Sequence, residues 1–414
     1  MKFDVVIVGA GIAGLSCAAG LYQKNLSFII LESTNRPGGR IKTDGVDGFQ
    51  LDHGFQVLQT GYPEASRALD FQKLNLKKFP AGVAVRYNKE FHVIADPRRH
   101  PKYLFSTLFS PIGTLKDRFL MLKLAKDVCR GSLEVLFDHE EQPAINFLQD
   151  WGFSAGFIDR FFVPFFAGAC LDPKITASSH VLKYIFRVFA QGDATLPSEG
   201  MGGIPVQIAA RLPKDSIRFN SRVIGIDDTS VTLEDGSRFY GKTLVLATSQ
   251  KALPDLVPSL TVSPSIGETC FYYSADWLPP HKEPFLLLNG EGRGPINNIA
   301  FPSLVSPDYA PPGKTLVAAV VLGRDNMARP DLEQRVRNQC ADWFGDQVER
   351  WKHIQTFRIE HALPSQKPPT VHPYVPQEPV SKNLRIIGEY RSLPGIQWAL
   401  LSGRMTAEAI ISEA

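Results

Sequence analysis

Phe3 to Gly9 is a short run rich in β-branched apolar residues, Ile12 to Gln23 repeats its apolar positions at helical spacing, and Phe28 to Leu31 is apolar throughout. Strand, helix and strand in that order predict a β-α-β unit, the usual opening of a parallel sheet. More strand character runs from Ile217 through Val223, Ile226, Val231 and Leu233, turns at Asp235-Gly236, and resumes from Thr243 to Ala247. A last apolar strand, Leu384 to Gly388, passes directly into a helical pattern from Ile396 to Ile411. Sheet-type segments thus fall in three blocks separated by two long inserts. The pattern predicts an α/β chain: a Rossmann-like, doubly wound cofactor domain from residues 1–80, 195–260 and 380–414, and an α+β substrate domain from 81–194 and 261–379.

The inserts differ in character. The first is rich in helical patterns and holds fourteen of the 27 phenylalanines, among them Phe161, Phe162, Phe165 and Phe166 around Pro164, enough to line an apolar pocket. Within it Leu104, Phe105, Leu108, Phe109 and Ile112 fall on one helical face flanked by Arg98, Arg99, Lys102, Lys116 and Arg118. We read that face as core-directed with a solvated basic rim. The alternative is a helix lying on an anionic membrane. The second insert carries strand-like runs (Phe285 to Leu288, Thr315 to Leu322), a helix pattern from Asp331 to Phe344, and Pro-rich connectors at 307–312 and 364–379.

Composition narrows the function classes. A chain of 414 residues exceeds what one core usually fills and has room for a buried cofactor. With 21% charged residues and a formal net charge of only +3, it lacks the basic excess of a nucleic-acid binder. The five cysteines are scattered without a C-x-x-C pair, and no His cluster stands at ligand spacing, so neither a metal site nor a disulfide framework is expected. Strand pattern by Phe3 leaves no room for a leader, and no apolar run approaches the roughly 20 residues of a spanning helix. The expectation is a cytoplasmic protein, soluble or peripheral on a membrane.

Gly9-Ala10-Gly11-Ile12-Ala13-Gly14 follows a strand and opens a helix, the context in which G-x-G-x-x-G signals a dinucleotide site. In that role Gly9 makes the tight turn, Gly11 admits a diphosphate, and Gly14 lets helix and strand pack closely, while the helix N-terminus, with Ala13 in its first turn, stabilises the anion. Glu32, followed by Ser33, ends the second strand, where an acidic side chain can bond the adenosine ribose and repel a 2′-phosphate. Arg36-Pro37-Gly38-Gly39-Arg40 then adds glycines for close backbone approach and two guanidiniums for phosphate or ribose oxygens.

With these residues the chain resembles the flavin-containing amine oxidoreductase superfamily, which includes monoamine oxidases, protoporphyrinogen oxidases and carotenoid desaturases. Three further anchors carry the resemblance: Asp52-His53-Gly54-Phe55-Gln56, Leu244-Val245-Leu246-Ala247-Thr248, and Gly388-Glu389 with the closing helix. It implies FAD as cofactor. It further implies that Gly54, Phe55 and Gln56 pass close to the flavin ring, that Val223 presents its backbone to the adenine, and that Gly388 and Glu389 sit by the pyrophosphate and ribityl chain. Ile396 and Gln397 would begin the helix whose amide end faces flavin N1 and O2, where reduced flavin carries negative charge.

The resemblance also shapes the substrate expectation. Amine oxidases place an aromatic residue where this chain has Ile396, so the departure favours a small apolar organic substrate oxidised by a desaturase, dehydrogenase or oxidase. Amine or amino-acid oxidation with peroxide release is the alternative, and a non-catalytic escort of the Rab GDP-dissociation-inhibitor type is a second one. Phe55, Gln56 and Trp398 are the flavin-proximal candidates, with Trp398 either narrowing the pocket or packing under the helix. His53 beside Asp52 is read as structural, and His361 as a satisfied core or surface histidine. No motif singles out an acid, a base or an electron acceptor.

Overall fold

Val5 to Val8 are buried and pair in parallel register with Phe28–Leu31 on one side and with Thr243–Leu246 on the other. Burial on both faces explains why these strands read as unbroken apolar runs instead of alternating ones. In the computed structural model, which describes residues 2–279, 283–376 and 378–413, they form the centre of a seven-stranded sheet. Its order is Ile217–Arg218, Phe28–Leu31, Lys2–Val8, Arg238–Leu246, Ser230–Leu233 and Val223–Ile226. Leu384–Ile386 joins in parallel against Leu244–Leu246. Strands far apart in sequence thus meet in one mixed sheet.

Two helices cover this sheet's edge of the cavity described below, Ile12–Gln23 and the closing helix Ile396–Glu413. They cross at touching distance. A Cβ on Gly403 would run into the Ala13 carbonyl oxygen and come within 2.7 Å of Ser16 Cβ, and one on Gly20 would meet Ala407 Cβ at 2.7 Å. Ser16 adds a hydrogen bond to the Leu400 carbonyl at 2.8 Å.

A second seven-stranded sheet runs in the order Lys352–Pro364, Ser265–Ala275, Thr315–Leu322, Ile296–Ala300, Leu286–Asn289, Gly82–Tyr87 and Glu90–Ala95. The helical reading of the first insert misses its opening hairpin. Gly82–Tyr87 and Glu90–Ala95 are strands, joined to the second insert through a parallel pair with Leu286–Asn289. The helix expected from Asp331 spans Leu332–Phe344.

The core-directed face expected for Leu104 to Ile112 is corrected. That helix covers only Leu104–Leu108, and Ile112 lies buried beyond it. Phe105 and Phe109 are 72% and 74% exposed. Pro111 disfavours helical geometry at Ser110, and a capping box between Thr114 and Asp117 starts a separate helix, Leu115–Val128. One periodic stretch is therefore two helices with a turn between them.

The helix crossing makes a direct prediction. Gly403→Ala should lower the unfolding free energy by about 1–3 kcal/mol, the usual cost of overpacking, with no change in charge or polarity. Urea unfolding of the variant measures this, and an unaltered midpoint would show that the two helices have room to separate.

Candidate active site

A cavity of about 1590 Å³ is walled by both sheets and by the helices around them. Ligand pockets commonly measure roughly 300–1,000 Å³, so this one has space for a cofactor and a substrate together. Gly9, Gly11, Ala13, Glu32, Ser33, Gly39, Arg40 and Val223 line it, as do Phe55, Gln56, Gly388, Glu389, Ile396 and Trp398. Residues from the first sixty positions, from the middle of the chain and from its last twenty-seven are therefore brought to one space.

Four other residues singled out from the sequence stand behind the wall. Gly14 packs against the Gly9 carbonyl, where any Cβ would collide. Arg36 is drawn aside by Asp44 and by the Thr43 carbonyl at 3.0 Å. Gly54 abuts Glu268. Gln397 is fully buried and turns its carboxamide oxygen to the Glu64 amide at 2.8 Å.

The glycines separate into two kinds. Gly9 has φ +108 and a Cβ there would lie 2.7 Å from the Ala247 carbonyl oxygen, so the fold itself demands glycine. Gly11 has an ordinary φ of −72 and a Cβ there would meet nothing within 4 Å. Nothing in the protein requires glycine at position 11. It leaves clear space at the amide end of the first helix, on the cavity wall, which is the shape a diphosphate needs.

Polar groups around that space are tightly held. Glu32 accepts the Ala10 amide at 2.8 Å through Oε2 and the Thr34 amide at 2.9 Å through Oε1, which fixes the carboxylate on the wall. Glu389 pairs with Arg40 and accepts the Gly395 amide at 2.6 Å. Gly395, at φ +113, turns the chain into the closing helix, and the amides of Ile396 and Gln397 form no hydrogen bond among the described residues. Two helix N-termini, each carrying partial positive charge, thus belong to the same site.

Asp52 is not on the wall. Burial pushes its carboxyl up to about 6, against hydrogen bonds from Thr43 Oγ1 at 2.5 Å, the Met201 amide at 2.9 Å and the Tyr309 hydroxyl at 2.8 Å. Its neighbour His53 bonds Asp44 through Nε2 at 2.8 Å. His361 does not line the cavity, although Ala362 beside it does; its Nδ1 is held by Ser265 Oγ and by Arg324 at 2.9 Å.

Glu268 was not singled out from the sequence. It lines the cavity beside Gly54, and its carboxyl makes no hydrogen bond or ion pair among the described residues. Burial alone pushes its carboxyl up to about 8. The signal was a lone charge in the eleven-residue strand Ser265–Ala275, but nothing local says which face of that strand it takes.

Aromatic side chains make up much of another part of the wall, among them Phe79, Phe157, Phe161, Phe165, Tyr184 and Phe189, while charged residues such as Asp96, Arg99, Arg118 and Asp193 also border the cavity. Phe161 and Phe165 stack with centroids 5.6 Å apart. Trp398 is fully buried against Phe137, Tyr184 and Tyr374, at centroid distances of 5.6, 4.8 and 5.8 Å, so its ring is packed as well as bordering the cavity.

The Glu268 carboxyl gives a pH signature. The unfolded chain releases this proton near pH 4.5, whereas the folded protein keeps it to about 8, so its stabilising contribution is complete below 4.5 and lost as pH rises to 8. The slope is roughly 1.4 kcal/mol per pH unit. Asp52 acts with the same sign only up to about 6. Between these two values, then, the unfolding free energy of the unliganded protein should fall with pH, and Glu268→Gln should flatten the fall; equal slopes in parent and variant would contradict the assignment.

Comparisons with known proteins agree with this fold. The cyclohexylamine oxidase of Brevibacterium oxydans superposes with a TM-score of 0.70 at 17% identity, covering 100% of this chain and 99% of that one. A putrescine oxidase solved with putrescine gives 0.72 at 15%, again over 100% and 99%. At such identities the likeness concerns the fold. In sequence, coproporphyrinogen III oxidase of Staphylococcus aureus is 28% identical over 155 residues, 33% of this chain and 31% of that protein. Protoporphyrinogen oxidase 2 of Arabidopsis thaliana is 23% identical over 209 residues, 50% of this chain and 40% of that one. The aligned stretches thus span less than half the length of either curated relative. The sequence profile of flavin containing amine oxidoreductases, by contrast, matches residues 12–411, from the first helix into the last turn of the closing one, and the chain therefore belongs to that family.

Proposed function

We propose that the chain is an FAD-dependent oxidoreductase that takes hydride from a largely apolar organic substrate. In this reading residues 1–80, 195–260 and 380–414 hold FAD, and 81–194 with 261–379 form the substrate domain. The two-electron acceptor that no side chain here provides is what FAD supplies when bound. Gly9, Gly11 and Ala13 make room for its diphosphate, and Glu32 and Ser33 meet the adenosine ribose. Val223 meets the adenine, Arg40 and Glu389 the pyrophosphate and ribityl region, and Gly39 and Gly388 keep backbone close to the cofactor. Gly14 and Arg36 support this end from behind. Gly54, Phe55 and Gln56 shape the wall near the flavin ring, and the amide end at Ile396 and Gln397 offers positive charge to its pyrimidine side.

The protein's own contribution to chemistry is position and dryness. Phe79, Phe157, Phe161, Phe165 and Phe189 hold an apolar substrate and exclude water, and Glu268 holds a proton on its carboxyl at the wall. Gly11 carries the reading: it is a glycine that the fold does not need, on the wall, at a helix amide end.

The amine alternative keeps one supporting observation, the Glu268 carboxyl, which an ammonium group could pair with inside the cavity. The family match lends the escort-protein alternative no support.

Gly11→Val is the discriminating variant. Its side chain enters open space, so the unliganded protein should unfold at the parent's midpoint while FAD binding is lost. Retention of FAD at parental stoichiometry would refute the cofactor site. For the substrate, anaerobic bleaching of the flavin band should occur with apolar candidates and fail with simple amines; bleaching and peroxide release confined to amines would transfer the reading to amine oxidation.

A further inference from the structure

Among the described residues no helix is long and apolar enough to cross a membrane. The apolar surface is nevertheless unevenly distributed. Fifteen large apolar side chains are exposed among those residues, and six of them, Leu104, Phe105, Phe109, Leu115, Phe119 and Leu122, fall within nineteen positions. Leu115, Phe119 and Leu122 are spaced by four and three, one face of the helix Leu115–Val128. Arg118 ties that helix to the segment before it through the carbonyls of Thr107 at 2.9 Å and Ser110 at 3.4 Å. Scattered exposed apolar residues are normal on a soluble protein; six within nineteen positions, three of them phenylalanines, are not scattered.

Charge along this stretch is mostly positive, although Arg99 is paired with Asp193. Residues 98–130 contain eight Lys and Arg and two Asp. Of the two carboxylates, Asp117 is buried in the capping box and Asp127 sits near Arg130. Around the same face Asp96 is paired with Arg98, and Glu283 with Lys102. Lys116 and Lys126 are exposed and form no ion pair among the described residues. Phenylalanine and leucine flanked by lysine make the composition of a helix that rests in the headgroup region of an anionic bilayer.

The cavity opens at the same place. Leu104 and Leu122 are 38% and 60% exposed and both line it, so its rim runs along this face. Leu108, Met121 and Ala125 continue the lining inward.

We propose that the two helices Leu104–Leu108 and Leu115–Val128 seat the protein on an anionic lipid bilayer, with the mouth of the cavity against the lipid. A substrate dissolved in the membrane then passes from acyl chains to an apolar cavity without crossing water. The docking face is independent of the oxidoreductase reading and is tested without turnover.

The test is flotation of the full chain with vesicles of phosphatidylcholine alone and of phosphatidylcholine mixed with phosphatidylglycerol. The protein should float with the mixed vesicles, more weakly with the neutral ones, and less at high salt as screening removes the lysine contribution. A triple variant, Phe105→Ser, Phe109→Ser and Phe119→Ser, should reduce partitioning by roughly tenfold or more, because each ring inserts apolar area. These rings do not line the cavity, so its unfolding midpoint and FAD affinity should match the parent's. Absence of flotation with either lipid, or equal flotation of parent and variant, would overturn the proposal. So would a parent that is dimeric by light scattering, does not float, and becomes monomeric on the triple substitution, since the face would then join two copies of the chain.

Discussion

The contact between the first helix and the last governs the layout of the whole site. Gly403 lets the closing helix touch the backbone of Ala13, and Gly20 does the same for Ala407 a turn farther along. Side chains of ordinary size at these positions would hold the axes apart by the distance that normally separates packed helices, about 8–10 Å or more. Because the axes approach so closely, Gly11 and Ile396, at opposite ends of the chain, can border one cavity. Each brings the open amide end of a helix, so the crossing places two regions of positive partial charge around a single space.

Around that crossing, buried polar groups divide by whether they have partners. Glu32 spends its oxygens on the Ala10 and Thr34 amides, and Asp52 joins Thr43, Met201 and Tyr309. Both are anchors: they tie together loops that carry the wall. Glu268 has no such partner. Burying a carboxyl without hydrogen bonds is costly, and a fold that keeps one on a cavity wall holds it where a bound molecule can satisfy it. Glu268 stands on the wall of the same cavity as the aromatic side chains of the first insert.

The same aromatic richness serves two environments. Phe157, Phe161 and Phe165 face the cavity, while Phe105, Phe109 and Phe119 face outward a short distance along the chain. Both groups come from the first insert, where Pro111 and the Thr114 cap separate the short helix Leu104–Leu108 from Leu115–Val128. The apolar side chains around this break point in two directions, Leu104 and Leu108 toward the cavity and Phe105 and Phe109 toward the outside.

What the sequence determined by itself was local. The strand at 2–8, the helix Ile12–Gln23, the strand Phe28–Leu31 and the helix begun at Ile396 are legible because their apolar periodicity and flanking glycines act within a few residues. The Gly9-to-Gly14 run was legible for the same reason, since turn, amide end and close packing are requirements met inside one β-α-β unit. Tertiary structure alone decided which way each residue faces. Arg36 is captured by Asp44, Gln397 turns to Glu64, and Glu268 comes to lie against Gly54, 214 positions earlier in the chain. It also decided that Phe105 and Phe109 are exposed, against a periodicity that reads as a buried face. Periodicity reports that a face is apolar, whereas the neighbour covering it is supplied by distant parts of the chain, and only the folded arrangement of those parts says whether the face meets protein, ligand or the outside.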